Sequence, residues 1–278
     1  MKQVILVTGA RSGFGLEIAA QAAGAGHIVY AGLRDLDTAG PLLEACAGTP
    51  VTPLQLDVTD PKQRERAVAR VLREQGRLDA LVNNAGVALG GFLEQVDEDE
   101  LRQVLEVNLF GVWGMTVAVL PAMRSQRSGT VVNISSMAGR MAFPGLGAYA
   151  TSKFALEGMS EAWRHELATF GVRVVLIEPG AYRTDIFERN RRLARRASDP
   201  DSPWATLAQR ANERFSAIAD RQARDPAEIG ALVLRVLADP HPRLRYPTGA
   251  DAQLRSTMVK LLPFSWVQWA VHRMLLRA

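Results

Sequence analysis

Six short, nearly wholly apolar runs, separated by stretches of helical periodicity, set the narrowest limit on how this chain folds. The runs are QVILVTG, HIVYAGL, VTPLQLDV, LDALVNNAG, GTVVNISS and VRVVLIEPG. A strand that is apolar almost throughout has to be covered on both faces, and an intervening helix makes each connection a crossover. The pattern therefore predicts an α/β fold: one doubly wound, Rossmann-type domain over residues 1–278, with a parallel sheet and helices on both faces. The expected helices include GLEIAAQAAGAG, AGPLLEACAG and DPKQRERAVARVLREQG. In the last of these, Asp60 supplies the N-cap and Pro61 the first helical position. Two longer helices are expected at about residues 97–123 and 147–170.

The pattern weakens after Gly180. Residues 184–225 are polar and Arg-rich and carry no strand signal, although WATLAQRANERFSAIADR has helical spacing. An insertion directly after a sheet strand, at the open edge of the sheet, predicts a helical substrate lid. Residues 251–277 read as an amphipathic helical segment. Within it, LLPFSWVQWAVHRMLL is broken by Pro263, Gln268, His272 and Arg273. No uninterrupted apolar run reaches the ~18 residues of a membrane span. The segment's apolar face is expected to cap the core or a subunit interface in preference to a membrane surface.

With 47% hydrophobic and 22% charged residues and a formal charge of +4, the composition is that of an ordinary globular protein. Cys46 is the single cysteine and has no partner for an internal disulfide. With the start MKQVILVTGA, too short in its apolar run for a signal peptide, this gives a cytoplasmic expectation. RNRRLARR packs five arginines into eight residues. It is expected to be a solvated helix face, with no nucleic-acid partner.

TGARSGFG, Thr8 to Gly15, joins the first strand to the first helix. Gly9 admits backbone angles closed to other residues, Gly13 lets the chain approach a pyrophosphate, and Gly15 allows close helix–strand packing. The helix start then offers free N–H groups to phosphates. At the end of the second strand an NAD site wants a carboxylate, whereas this chain has Leu33 and then Arg34. With Arg11 in the glycine turn, Arg34 favours the 2′-phosphate of NADP(H), NAD(H) remaining possible. Asp35 is a competing partner for Arg34.

Tyr149 and Lys153 in YATSK lie one helical turn apart on one face. An adjacent ammonium is expected to favour the phenolate and lower the tyrosine's pKa, making proton exchange with an alcohol or carbonyl practical. Ser135 and Ser136 end the strand before this helix, where one of them can hold the substrate oxygen.

These residues, in this order, resemble the short-chain dehydrogenase/reductase family over roughly residues 3–184. T-G-x-x-x-G-x-G matches Thr8, Gly9, Gly13 and Gly15, N-N-A-G matches Asn83 to Gly86, and Y-x-x-x-K matches Tyr149 and Lys153. The family's helix asparagine matches Asn108, its serine spacing selects Ser136, and P-G-x-x-x-T matches Pro179, Gly180 and Thr184. The resemblance implies Asn108, Ser136, Tyr149 and Lys153 as the catalytic set, with Tyr149 as general acid and base. Asn108 would shape a water-linked proton path through a bend in its helix. The implied cofactor contacts are the turn Gly9, Arg11, Ser12, Gly13, Phe14 and Gly15, then Arg34, Asp57, Val58, Asn84, Ala85 and Gly86. Tyr149, Lys153, Pro179, Gly180, Tyr182 and Thr184 complete that set. Homodimers or homotetramers through the two long helices are also implied.

YAGLRD, SKFALEGMSEAWRHEL and RYPTGADA resemble the subgroup that holds 17β-hydroxysteroid and retinol dehydrogenases and bacterial NADP-dependent ketoreductases. This implies a small-molecule, lipophilic ketone, aldehyde or alcohol as substrate. Met141, Phe143 and Leu146, after Ser136, are expected to form an apolar wall with Ser136 and Tyr149, and Arg140 leaves room for an anionic group. The alternative is a catalytically idle NADP(H)-binding sensor. No metal is expected: one cysteine and four scattered histidines do not supply the usual zinc ligands.

Overall fold

The computed structural model describes residues 2–184, 186 and 191–276, except for the side chains of 191, 215, 216 and 218–222. Its strands are β1 (Val4–Thr8), β2 (Ile28–Leu33), β3 (Val51–Gln55), β4 (Ala80–Asn83), β5 (Ala88–Gly90), β6 (Gly129–Ile134), β7 (Val172–Pro179), β8 (Arg191–Leu193) and β9 (Arg245–Thr248). Seven of them form one parallel sheet in the order β3-β2-β1-β4-β6-β7-β9, and β5 and β8 pair separately. The six strands expected from sequence are all present, each trimmed by a residue or a few at its ends. The order reverses direction between β1 and β4, the position where open α/β sheets bind ligands beyond their strand ends.

Helices α1 (Gly13–Gly24), α2 (Gly40–Ala45), α3 (Pro61–Gln75), α4 (Glu98–Leu105), α5 (Gly111–Gln126), α6 (Gly147–Ala168), α7 (Ala205–Gln222), α8 (Ala227–Ala238), α9 (Ala250–Leu261) and α10 (Phe264–Leu275) complete the chain. Alternate residues of one strand serve opposite cores. Ile5 and Val7 face α1 and α8, burying Ile18, Ala22, Ile229 and Val233. Val4 and Leu6 face α3, α5 and α6, burying Val71, Met115, Met123 and Trp163. The Asp60 cap forms as expected: its carboxylate accepts from Lys62 N at 2.8 Å, with Pro61 next in line. The helical run Glu98–Gln126 is apolar enough by composition to cross a membrane, yet half of its apolar window is buried. It is a core element of the sheet's cover.

Three features depart from the sequence reading. The single helix expected at about 97–123 is α4 and α5 joined by a π-helical turn, Glu106–Phe110, with Asn108 buried at its centre. The polar insertion contains a strand, β8, held parallel to β5. The C-terminal segment is two helices separated at Pro263.

Leu6 is fully buried in the α3–α5–α6 core. Leu6→Ala is expected to cost about 2–5 kcal/mol through lost transfer free energy and the cavity left behind. Urea unfolding checks this, with exposed Leu254→Ala (62% exposed) as the near-neutral control.

Candidate active site

The C-terminal ends of β1, β2, β4, β6 and β7 surround a cleft of about 560 Å³. Its walls carry Gly9, Arg11, Ser12, Gly13, Phe14, Arg34, Asp57, Val58, Asn84, Ala85, Gly86, Ser136, Tyr149, Lys153, Pro179, Gly180, Tyr182 and Thr184. Gly15 lies behind the turn, packed so closely on Gly9 O and the Asn84 amide that any Cβ would overlap them.

The glycine turn is tied down from β4. Thr8 Oγ1 accepts the backbone N–H of Asn84 and of Ala85, each at 3.0 Å. Asn84 Nδ2 donates back to Thr8 O at 3.0 Å and to Gly9 O at 2.9 Å. Gly9 has φ +67°, and a Cβ there would sit 2.8 Å from Ala85 Cα. Only glycine meets both demands.

α1 begins at Gly13 with no side-chain cap from Ser12 and no acid in its first turn, so its N–H groups and positive dipole end are uncompensated. Phe14 packs edge-on against Tyr182 at 5.3 Å between ring centroids. Arg11 and Arg34 are exposed, and neither has an ion-pair partner among the described residues. Asp35 caps its own turn instead, accepting Asp37 N at 3.0 Å. An open glycine backbone, uncompensated N–H donors and two free guanidiniums at the end of β2 fit a phosphate-bearing dinucleotide.

α6 presents Tyr149, Lys153 and Glu157 on successive turns of its buried face. Ser136 and Tyr149 face the same cleft, close enough for the serine to lower the phenol's pKa slightly, and Ser136 Oγ accepts Ala138 N at 3.1 Å. Lys153 Nζ donates to Ile134 O at 2.9 Å and lies 5.6 Å from the Tyr149 ring centroid. Burial pushes the phenol up to about 12, against a smaller lowering by Ser136. Burial likewise brings Lys153 down to about 8, against the Glu157 carboxylate. The expected lowering of Tyr149 by its neighbour is thus overturned. Removing both groups from water outweighs an ammonium that sits over the ring and bonds elsewhere.

Asn108 does not reach the cleft surface. Its amide brackets the Val87 peptide, donating to Val87 O and accepting from Val87 N, both at 2.9 Å, and it donates to Ser152 Oγ at 3.0 Å. Asn83 is also structural, bonding Asn133 Oδ1 at 2.9 Å across β4 and β6.

The expected apolar substrate wall is not assembled at the cleft. Met141 and Phe143 are buried against Val267 and Leu275 of α10. Leu146 is buried at the start of α6, bridged to Gly91. The C-terminal helices cover Met141 and Phe143, which therefore pack a satellite core. Arg140 turns inward to Glu178 at 3.4 Å, removing it as a substrate contact. Of the Arg-rich run, residues 189 and 190 lie outside the described residues. The remainder is β8 and a short turn, not a helix face. Arg195 and Arg196 pair with Asp97 at 2.9 Å each. Arg192 instead lines the cleft, with Val87 and Ile186. Sequence reading missed these three; the β5–β8 pairing that brings Arg192 there is long-range and has no local signal.

Below Lys153 lies a buried acidic pair. Glu157 is 4% exposed and Glu178 fully buried, and Arg245 approaches them at 3.0 and 3.5 Å. Glu157 Oε1 and Glu178 Oε2 each lack a donor among the described residues, and a proton on Glu178 would relieve the repulsion between the two carboxyl groups. Burial, then the charge of Glu157, holds Glu178 above its ordinary value.

A family model described as short chain dehydrogenase matches residues 3–194. The 3-ketodihydrosphingosine reductase of Bacteroides thetaiotaomicron is 36% identical, covering 97% of this chain and 97% of that protein. Estradiol 17-beta-dehydrogenase 1 of Rattus norvegicus is 39% identical, covering 87% of this chain and 72% of that protein. The crystal structure of a short-chain dehydrogenase from Streptomyces avermitilis superposes with a TM-score of 0.81 at 36% identity, covering 97% of this chain and 98% of that one. Among further solved neighbours, one holds NADP and another NAD.

Because the folded-state value of Glu178 is raised, the folded protein keeps a proton that the unfolded chain releases near 4.5. That stabilisation is complete below 4.5 and is lost as pH rises through the raised value. Glu178→Gln removes this loss. Thermal melts across pH are expected to show wild-type stability falling relative to the variant in that window, and parallel curves would count against a raised Glu178.

Proposed function

The chain belongs to the short-chain dehydrogenase family, and we propose that it uses NADP(H) to interconvert a lipophilic ketone or aldehyde and its alcohol. The observation that carries this reading is that Tyr149 and Ser136, with Lys153 one turn on, line the cleft that also holds the glycine cradle. When bound, the nicotinamide supplies or accepts the hydride at the substrate carbon. Every other task falls to side chains of the protein.

In reduction, the Tyr149 hydroxyl gives its proton to the substrate oxygen as negative charge builds there, and Ser136 holds that oxygen by a hydrogen bond. A phenol pushed up to about 12 is protonated at neutral pH, the form this direction requires. In oxidation the phenolate takes the alcohol proton, and the Lys153 ammonium is the nearby charge that favours it. Lys153 would also hold the nicotinamide ribose. Asn108 is a positioning residue: its grip on the Val87 peptide fixes the segment beside Asn84 to Gly86. Thr184, Pro179 and Gly180 would meet the carboxamide end, and Asp57 and Val58 the adenine end.

The preference for NADP(H) rests on Arg34 and Arg11, both exposed at the cleft and without an ion-pair partner among the described residues, and on Leu33 where an NAD site wants a carboxylate. A lipophilic substrate is supported by Val87 and Ile186 at the cleft wall, and Arg192 admits a polar or anionic end. Phe110, Trp113, Val117 and Phe154 stand exposed on α5, the π turn before it, and α6. Homo-oligomers through that face accord with this. A lone, buried thiol, Cys46, accords with a reducing, cytoplasmic setting.

Tyr149→Phe is expected to lower turnover on the order of 100-fold or more while cofactor binding is kept. NADPH oxidation over a panel of aliphatic, aromatic, steroid and retinoid carbonyls, with fluorescence titration of NADPH alongside, measures both. Binding without turnover on any carbonyl would instead indicate a nucleotide sensor. Leu33→Asp with Arg34→Ala is expected to shift the kcat/KM ratio toward NADH, and an unchanged ratio would remove Arg34 from the reading.

A further inference from the structure

α10 is apolar on two sides, and the core uses only one. Val267, Val271 and Leu275, four residues apart, pack inward onto Met141 and Phe143. Trp266 and Trp269 project from the opposite side at 64% and 59% exposure, and the Arg273 guanidinium lies 5.3 Å over the Trp269 ring. At the corner between α9 and α10, Leu261 and Phe264 are 75% and 78% exposed, and Leu254, two turns back from Leu261, is 62% exposed. So much indole and aliphatic surface facing water has no role in holding the fold together.

Charge identifies what covers it. Across α9 and α10 the one acid is Asp251, which accepts Ala181 N at 3.2 Å and pairs with Arg255 at 3.7 Å. Lys260 and Arg273 are exposed beside the aromatic residues and have no acidic partner among the described residues. A second copy meeting this face about a two-fold axis would bring together two faces that each carry Lys260 and Arg273, and Asp251, the one carboxylate on these helices, is already paired to Arg255. An anionic lipid surface neutralises the same cations and takes the indoles at headgroup depth. At twelve residues, α10 is too short to span a bilayer and long enough to lie on one.

We propose that the outer face of α9 and α10 is a docking surface for an anionic lipid bilayer. Its inner face rests on the loop between Ser136 and Tyr149, so docking brings that loop within about one helix diameter, ~10 Å, of the lipid. The inference does not depend on the substrate or cofactor assigned above, because its readout is binding.

The full-length protein is floated with phosphatidylcholine vesicles and with vesicles that also contain phosphatidylglycerol, while tryptophan emission is recorded. Binding to the anionic vesicles, a blue shift in emission and release by high salt are expected. Trp266→Ala with Trp269→Ala, and separately Lys260→Glu with Arg273→Glu, are each expected to weaken binding by about tenfold or more. All four side chains are exposed, and unchanged circular dichroism verifies that the variants fold. Failure to float with anionic vesicles overturns the proposal, as does flotation that these substitutions leave unaltered. Self-association abolished by the tryptophan pair, without vesicle binding, would assign the face to a second copy and overturn it equally.

Discussion

Covering a parallel sheet on both faces is the constraint from which the rest of this molecule follows. Strands such as β1 send Ile5 and Val7 to one core and Val4 and Leu6 to the other. Neither face of the sheet is left for chemistry. Polar and charged groups can then gather only where the strands run out, and the reversal of strand order between β1 and β4 opens a cleft there. Thr8, Asn84 and Ala85 lock the two sides of that opening together through backbone and amide hydrogen bonds. The glycine turn is therefore part of the sheet's architecture as well as a place for phosphates.

Burial also decides the electrostatics of the reactive groups. A tyrosine beside a lysine suggests a lowered phenol, but desolvation acts on both groups and raises the phenol while lowering the ammonium. The same force acts one turn further along α6, where Glu157 and Glu178 meet in the protein interior under Arg245. One buried face of α6 thus carries a neutral phenol, a weakened ammonium and the Glu157 carboxyl group, which meets Glu178 of β7. Protonation along this face is set by exclusion of water more than by any single neighbour.

Much of this was legible because it is written at short range. The six apolar runs, the Asp60–Pro61 helix start and the 3.6-residue spacing of Tyr149 and Lys153 are local patterns with local physical causes. Motif spacing also led to Ser136 over Ser135, and in the structure it is Ser136 that acts on the Tyr149 phenol, while Ser135 Oγ is buried with no partner among the described residues. The reading failed where a residue's role depends on what packs over it. Met141 and Phe143 looked like a substrate wall until α10 covered them. Arg140 looked free until Glu178 claimed it, and the Arg-rich run looked helical until β5 gave β8 a partner.

By itself, the sequence determined the layered α/β architecture, the glycine cradle, and the identity and order of the groups at the strand ends. Each of these rests on periodicity or spacing within a few dozen residues. Tertiary structure alone decided which apolar side chains line the cleft, which arginines remain unpaired, and that the phenol is raised rather than lowered. It also decided that α10 spends one apolar side on the core and leaves its tryptophans facing water. The reason is common to all four. Burial and pairing belong to surfaces that meet from distant parts of the chain, and no local pattern specifies which surfaces will meet.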